Sequence, residues 1–363
     1  MNKEKILFLT QLSPPVHGVS VMNDYIKQSK KINECYKTDF INTTSAVSLS
    51  DLGKGTLQKY VDFLMITISL LKKLFVERYD LCYITLAPTG IAFWKDSILL
   101  LLSKIFIKKR IIHLHGRGAS ATIDESPWKK WIYEIVFKDT LVIVLSERLK
   151  TDILSFVNPE QIRVLPNGIE RIERLSSKVL KDKPIILFLS NLIVSKGVYT
   201  FVDIIAKLKE SKEVFEAWMV GGEGDVSIEA LKKYIDSKNV SSHIKVLGPK
   251  FGNNKYEVMN DASILIYPSQ FDAFPLVLLE AMQFGLPIIA TGVGGIPDMI
   301  EDGRTGFILK YNDNEGFVYK TQLLLRNKEL SHKMGQEAMK EFSKKYTLEI
   351  FENNLIDIIE NNL

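Results

Sequence analysis

At 363 residues and 41.3 kDa the chain is about twice a single domain of roughly 100 to 200 residues, so length favours two cores. Hydrophobic residues at 46% and charged residues at 25% exclude a disordered, collagenous or coiled-coil chain. The net charge is only +4, but residues 1–170 carry 23 Lys+Arg against 17 Asp+Glu and residues 171–363 carry 24 against 26, so the halves read +6 and −2. That asymmetry predicts that the first half faces an anionic surface or a phosphorylated ligand, with nothing pointing to nucleic acid. Cys35 and Cys82 have neither metal-ligand spacing nor the numbers of a disulfide scaffold, which excludes structural zinc and predicts a reducing, cytoplasmic setting.

In chain order, the apolar run Ile6 to Leu9 is too short for a signal-peptide core and reads as a first strand. A helix over Val19 to Lys30 and strands at Leu81 to Thr85, Ile111 to His115 and Leu141 to Leu145 follow. The longest uncharged apolar run, Phe63 to Leu71, has nine residues, against about 20 for a membrane-spanning helix. Polar, basic residues at 171–183 read as a linker. Beyond it, strands are predicted at Ile185 to Ser190, Glu216 to Val220, Ile244 to Leu247, Ser263 to Tyr267 and Pro287 to Thr291. Helices over Thr200 to Lys209, Ile228 to Lys238 and Val277 to Phe284 separate them. Alternation of this kind predicts an α/β chain with two doubly wound parallel sheets, whose ligands lie beyond the carboxyl ends of the strands.

The richest segment is SQFDAFPLVLLEAMQFGLPIIATGVGGIPDMIEDGRTGFI, residues 269–308. Pro275 opens a helix, whose first turn supplies free amides and a positive dipole end suited to phosphate or sugar oxygens. Asp272 and Glu280 stand eight positions apart, so they reach separate parts of one ligand; spacing alone also allows a capping carboxylate and a solvated helix residue. Leu276, Leu279 and Met282 are expected to face the core. Gly292, Gly294 and Gly295 lack the third glycine of a dinucleotide fingerprint.

These residues resemble the retaining, nucleotide-sugar-dependent glycosyltransferases of family 4, which have a GT-B fold: two Rossmann-like domains facing across a cleft. The resemblance spans nearly the whole chain. The family's Glu-x7-Glu motif is similar to Asp272 to Glu280, with Asp in place of the first Glu, followed by Glu280-Ala281-Met282 and Gly285-Leu286-Pro287. It implies that Glu280 holds ribose hydroxyls, while Asp272 and the amides around Phe274, Pro275, Leu276 and Val277 hold the donor sugar. LFLSNLIVSKG, residues 187–197, is similar to the strand and loop that place an arginine and a lysine on the donor diphosphate. Lys196 matches the lysine; Asn191 stands at the arginine position, which makes Arg117 and Arg304 candidate replacements.

In the first half, PPVHGVS at residues 14–20 lets Gly18 approach a phosphate closely. His113 and His115 lie on one face of a strand; the resemblance makes His115 the cleft histidine near the donor sugar. Catalytic roles thus fall on Lys196, His115 and Asp272, and substrate binding on Gly18, Asn191, Phe274, Pro275, Leu276, Val277, Glu280 and Arg117. The stripe Trp128, Trp131, Ile132, Ile135 and Val136 is expected to be mostly core, with a membrane interface as the other reading.

The resemblance further implies an acceptor-side domain at 1–170, a nucleotide-sugar domain at 184–345 and a terminal helix at 346–363 crossing back to the first domain. It implies sugar transfer with retention to a glycan or lipid-linked glycan in cell-surface polysaccharide synthesis, without metal or cofactor. The donor is a nucleotide-diphosphate sugar, a UDP-sugar before a GDP-sugar. Lys72-Lys73, Lys108 to Arg110 and Lys129-Lys130 suggest an anionic membrane surface as a further partner. The alternatives are a sugar-nucleotide epimerase on the same fold and a catalytically weak glycan-binding protein.

Overall fold

The computed structural model describes residues 3–44, 57–172 and 183–363. Most of the expected linker, residues 173–182, lies outside the described residues. The chain divides into two compact units, one made of Met1–Gly168 with Leu348–Leu363 and the other of Ile169–Thr347.

The first unit holds β1 (Lys5–Thr10), β2 (Lys37–Asn42), β3 (Leu81–Thr85), β4 (Lys109–Leu114), β5 (Leu141–Val144) and β6 (Ile162–Val164). They form one parallel sheet in the order β2-β1-β3-β4-β5-β6. The second unit holds β7 (Ile185–Leu189), β8 (Glu216–Val220), β9 (Ile244–Gly248), β10 (Ile264–Tyr267), β11 (Ile288–Thr291) and β12 (Gly306–Leu309). Its parallel order is β12-β11-β10-β7-β8-β9. Central strands such as β3 (LCYIT) and β7 (IILFL) are buried at every residue, as helices on both faces of a parallel sheet require. In each unit the strand order reverses once, between β1 and β3 and between β7 and β10, and in open α/β sheets that reversal opens the ligand crevice.

The helix predicted over Val19 to Lys30 is instead two, Gly18–Gln28 and Lys30–Cys35. Ser29 breaks it: its backbone is extended and its hydroxyl accepts from the Ile32 amide at 3.2 Å, capping the second helix. The terminal helix Leu348–Glu360 buries Phe351, Leu355 and Ile359. It packs on Lys30–Cys35, with Lys31 bonded to Glu349 at 3.2 Å and Asn353 at 3.0 Å.

This arrangement corrects the charge reading. The last sixteen residues bring Glu349, Glu352, Asp357 and Glu360 into the first unit. The units then carry 23 basic against 20 acidic residues and 24 against 23, a balance of +3 and +1 in place of +6 and −2. Arg110, read as part of a surface cluster, is 8% exposed. Its guanidinium donates to the carbonyls of Ile107 (2.8 Å), Lys108 (2.7 Å) and Asp139 (2.7 Å), so it staples two loops. The stripe expected to be mostly core is mostly not: of its five residues only Val136 is buried, Ile132 is half-buried, and Trp128, Trp131 and Ile135 are exposed, the first two at 54% and 60%, because the helix turns Tyr133 and Phe137 inward instead.

Candidate functional site

In the second unit, the loops after β7 and β10 meet where the strand order reverses. Glycine permits the approach. At Gly221, after β8, a Cβ would sit 1.8 Å from the Ser190 carbonyl oxygen, and at Gly197 (φ +81) one would sit 2.2 Å from that of Pro268. The Ser195 carbonyl accepts from the Gln270 amide at 2.8 Å, joining the two loops. Gly294 (φ +55) packs from the other side, where a Cβ would meet the Asp272 carbonyl oxygen at 2.1 Å. The next amide, of Gly295, donates to the Ala273 carbonyl at 2.7 Å.

These contacts bring Lys196 and Asp272 together. Lys196 ends one turn of 3-10 helix, Val194–Lys196, and its ammonium lies 2.5 Å from Asp272 Oδ2 and 3.4 Å from the Phe271 carbonyl. Tyr267, at the end of β10, donates its hydroxyl to the same Oδ2 at 2.5 Å, and Oδ1 accepts from the Ala273 amide at 3.0 Å. Burial, reinforced by the Asp272 charge, pushes the Tyr267 phenol well above its usual range, so it remains a neutral donor. The side chains of Lys196 and Asp272 are 24% and 15% exposed, screened yet open to a ligand.

Phe274 is buried, and Pro275 caps the helix Leu276–Gln283. Its buried side chains are Leu278, Leu279, Ala281 and Met282. Leu276, expected in the core, is half-exposed beside Val277 in the first turn, where helical amides lack intrahelical acceptors. Two turns on, Glu280 Oε1 lies 2.5 Å from the ammonium of Lys255. Lys255, on the helix Gly252–Asp261, and Tyr267 are the polar groups of this site that sequence reasoning missed. Asn191 lies five residues before Lys196, half-buried against the Gly222 turn, and the Leu192 amide beside it donates to the Gly222 carbonyl at 2.8 Å. Arg304 is no stand-in for the missing arginine. Its guanidinium is held by Glu301 (2.6 Å), Glu337 (2.9 Å) and Glu341 (3.1 Å).

In the first unit, the loops after β1 and β4 carry the other predicted residues. His17 caps the helix that Gly18 begins: its Nδ1 accepts from the Ser20 amide at 3.3 Å, and the Ser20 hydroxyl accepts from the His17 amide at 2.9 Å. Gly18 is exposed. His115 follows β4, its ring 4.0 Å from that of His113, whose Nδ1 lies 2.5 Å from the Tyr83 hydroxyl. Burial, then the neighbouring His17, holds the His115 pKa down at about 3. His113 is lowered well below its usual value by burial and then by His115. Near pH 7 both are uncharged, so His115 offers a hydrogen bond rather than a cation. Arg117 is half-buried in the next loop. The turn beyond it is filled from within, since Asp152 accepts from the amides of Gly118 (2.8 Å), Ala119 (3.0 Å) and Ser120 (3.1 Å). Among the described residues, no three His, Cys, Asp or Glu side chains gather as a metal site would need.

Residues 170–341 match the family model of glycosyl transferases group 1. The chain is 27% identical over 252 residues to the N-acetyl-alpha-D-glucosaminyl L-malate synthase of Bacillus anthracis, covering 65% of this chain and 64% of that one, so the match spans somewhat less than two thirds of that relative. Among solved structures it is similar to a sucrose-phosphate synthase of Thermosynechococcus elongatus, with a TM-score of 0.78 at 16% identity over 99% of both chains. It is also similar to Anabaena HepE in complex with UDP, with a TM-score of 0.73 at 16% identity over 98% of this chain and 100% of that one. These matches favour transfer over the epimerase and the catalytically weak binder. Over residues 170–341 the chain is thus similar to the group 1 glycosyl transferases, and its two parallel six-stranded sheets have the GT-B fold.

Proposed function

We propose that the protein is a retaining transferase that moves a sugar from a nucleotide-diphosphate sugar, a UDP-sugar before a GDP-sugar, to a hydroxyl of a glycan or lipid-linked glycan. The setting is cell-surface polysaccharide synthesis at the cytoplasmic face of a membrane. The observation that carries this reading is the cluster at the ends of β7 and β10: Lys196 and Asp272, 2.5 Å apart, beside the first turn of the helix that bears Glu280. UDP in the similar Anabaena structure supports the choice of donor.

In this reading Lys196 and the amides of Leu276 and Val277 hold the diphosphate, Asp272 and the backbone around Phe274 hold the sugar, and Glu280 holds the ribose. In the first unit, His115, Arg117 and Gly18, in the loops after β1 and β4, are further candidate substrate-binding residues. The bond from the anomeric carbon to the diphosphate oxygen breaks, leaving an oxocarbenium-like centre. The acceptor oxygen bonds that carbon on the same face, and its proton passes to the departing phosphate oxygen. Nucleoside diphosphate and the glycosylated acceptor leave. No side-chain nucleophile is needed, and the charge that develops on the leaving group is met by a fixed ammonium and fixed amides in place of a bound metal. With Asn191 neutral, the ammonium of Lys196 carries the charge of that clamp.

Thermal-shift screening with UDP, GDP, ADP and their sugars tests the donor. A nucleotide at a hundredfold its dissociation constant stabilises by about 2.7 kcal/mol. Stabilisation by a uridine or guanosine diphosphate supports the reading, and indifference to every nucleotide refutes it.

A further inference from the structure

We propose that the outer face of one helix layer in the first unit is a docking surface that beds into the headgroup region of an anionic phospholipid bilayer. The inference stands apart from the donor site, so its failure leaves the transfer reading intact. The layer consists of the helices Leu57–Val76, Gly90–Phe106 and Pro127–Phe137. They connect β2 to β3, β3 to β4 and β4 to β5, all stepping the same way across the sheet, and right-handed crossovers put such helices on one face. They touch in sequence: Phe75 meets Phe106 at 5.1 Å between ring centroids, and Trp94 stacks on Trp128 at 5.7 Å.

Each helix has an inner and an outer apolar stripe, both at helical spacing. The helix Leu57–Val76 buries only Leu70 and Leu74, while Leu57, Leu64, Ile68 and Phe75 face outward, Leu64 at 58% and Phe75 at 75% exposure. On the middle helix the outward stripe is Ile91, Trp94, Ile98 and Ile105. On the third it is Trp128, Trp131 and Ile135. A contiguous exposed apolar surface across three neighbouring helices is the mark of a docking site.

Charge and ring chemistry choose the occupant. Of the seven lysines on the three helices, Lys73 and Lys129 pair with Asp39 and Glu125, and Lys95 and Lys104 donate to backbone carbonyls, but the exposed Lys72, Lys130, Lys138, Lys108 and Lys109 stand on or beside the layer and outnumber its exposed carboxylates Glu134 and Asp139. Tryptophans beside lysines suit the headgroup level of a membrane. A second copy of the chain would set this lysine-rich face against itself, which like charges oppose. Among the described residues no helix is long and apolar enough to cross a membrane, so the layer lies along the surface.

The test uses the full chain with vesicles of phosphatidylglycerol and phosphatidylcholine, read by cosedimentation and by tryptophan emission. Trp94, Trp128 and Trp131 are three of the four tryptophans, so emission should shift to the blue on binding. Attachment should weaken in salt that shortens the screening length to about 3 Å yet persist, because apolar contact is not screened. Leu64→Ser with Phe75→Ser, both at exposed positions, should cut vesicle partition at least about tenfold while melting temperature and nucleotide binding hold; should that pair misfold, Phe75→Ser alone serves. Absence of vesicle binding at low salt overturns the proposal. So does binding that salt abolishes and the serine variants leave unchanged, or a concentration-dependent dimer that those variants dissolve.

Discussion

The two units share a plan of six parallel strands with one reversal of strand order, but they spend their side chains differently. Of the large hydrophobic residues left exposed among the described residues, eighteen lie in the first unit and six in the second. Around the reversal the contrast runs the other way. The second unit gathers an ammonium, a carboxylate, a phenol and open helix amides. The first holds uncharged histidines and an amide turn already filled by Asp152. One topology thus presents two different surfaces, a polar loop cluster in the second unit and an apolar helix layer in the first. Substitutions should separate accordingly, with charge removal in the second unit lowering turnover and comparable changes in the first lowering stability.

The largest effect expected is at Lys196. Lys196→Ala should lower turnover by about tenfold to a hundredfold, the worth of a charged hydrogen bond, while the melting temperature barely moves, because a partly exposed lysine adds little to folding. Equal loss of both would undo that separation. Glu280→Ala should weaken binding of free nucleotide by about tenfold, measured by calorimetry; unchanged affinity would remove its ribose role. Lys255→Ala sharpens this, since a lysine that only steers Glu280 should raise KM for donor more than it lowers kcat.

In the first unit, Asp152→Ala should cost about 1 kcal/mol of stability, typical of a lost helix cap, and leave nucleotide affinity unchanged. A smaller effect is expected from pH. His115 stays uncharged in the folded chain down to about pH 3, whereas in the unfolded chain it takes up a proton near its ordinary value of about 6.5. Protons therefore favour the unfolded state, so stability should fall as pH drops below about 6.5. His115→Gln should make that fall shallower in thermal melts, and an unaltered slope would contradict the assigned burial.

Most strands were legible because buried parallel strands are short apolar runs, as in ILFLT at residues 6–10 and IILFL at 185–189. The edge strand β2 (KTDFIN) buries little beyond Ile41, β6 has three residues, and β12 opens on a glycine, so none announces itself. Among candidate site residues, Asp272 and Glu280 were visible through their spacing and Lys196 only through the family resemblance of residues 187–197. Tyr267 read only as a strand end, and Lys255 belongs to a polar helix with no motif; their roles arise from contacts far along the chain. The outer stripes were hidden for another reason. Apolar residues at helical spacing look alike whether they face a core or a partner, and only the packed layer reveals which side stays uncovered. The charge split misled because an acidic terminal helix joins a unit distant in sequence.

The most direct test of the account is mass analysis of products from a nucleotide-diphosphate sugar and a panel of hydroxyl acceptors, comparing the native chain with Lys196→Ala. The account predicts free nucleoside diphosphate and an acceptor heavier by one sugar, formed with the donor's anomeric configuration and at least about tenfold more slowly by the variant. Nucleotide released or sugar altered with no acceptor gaining mass, or a variant as fast as the native chain, would contradict it.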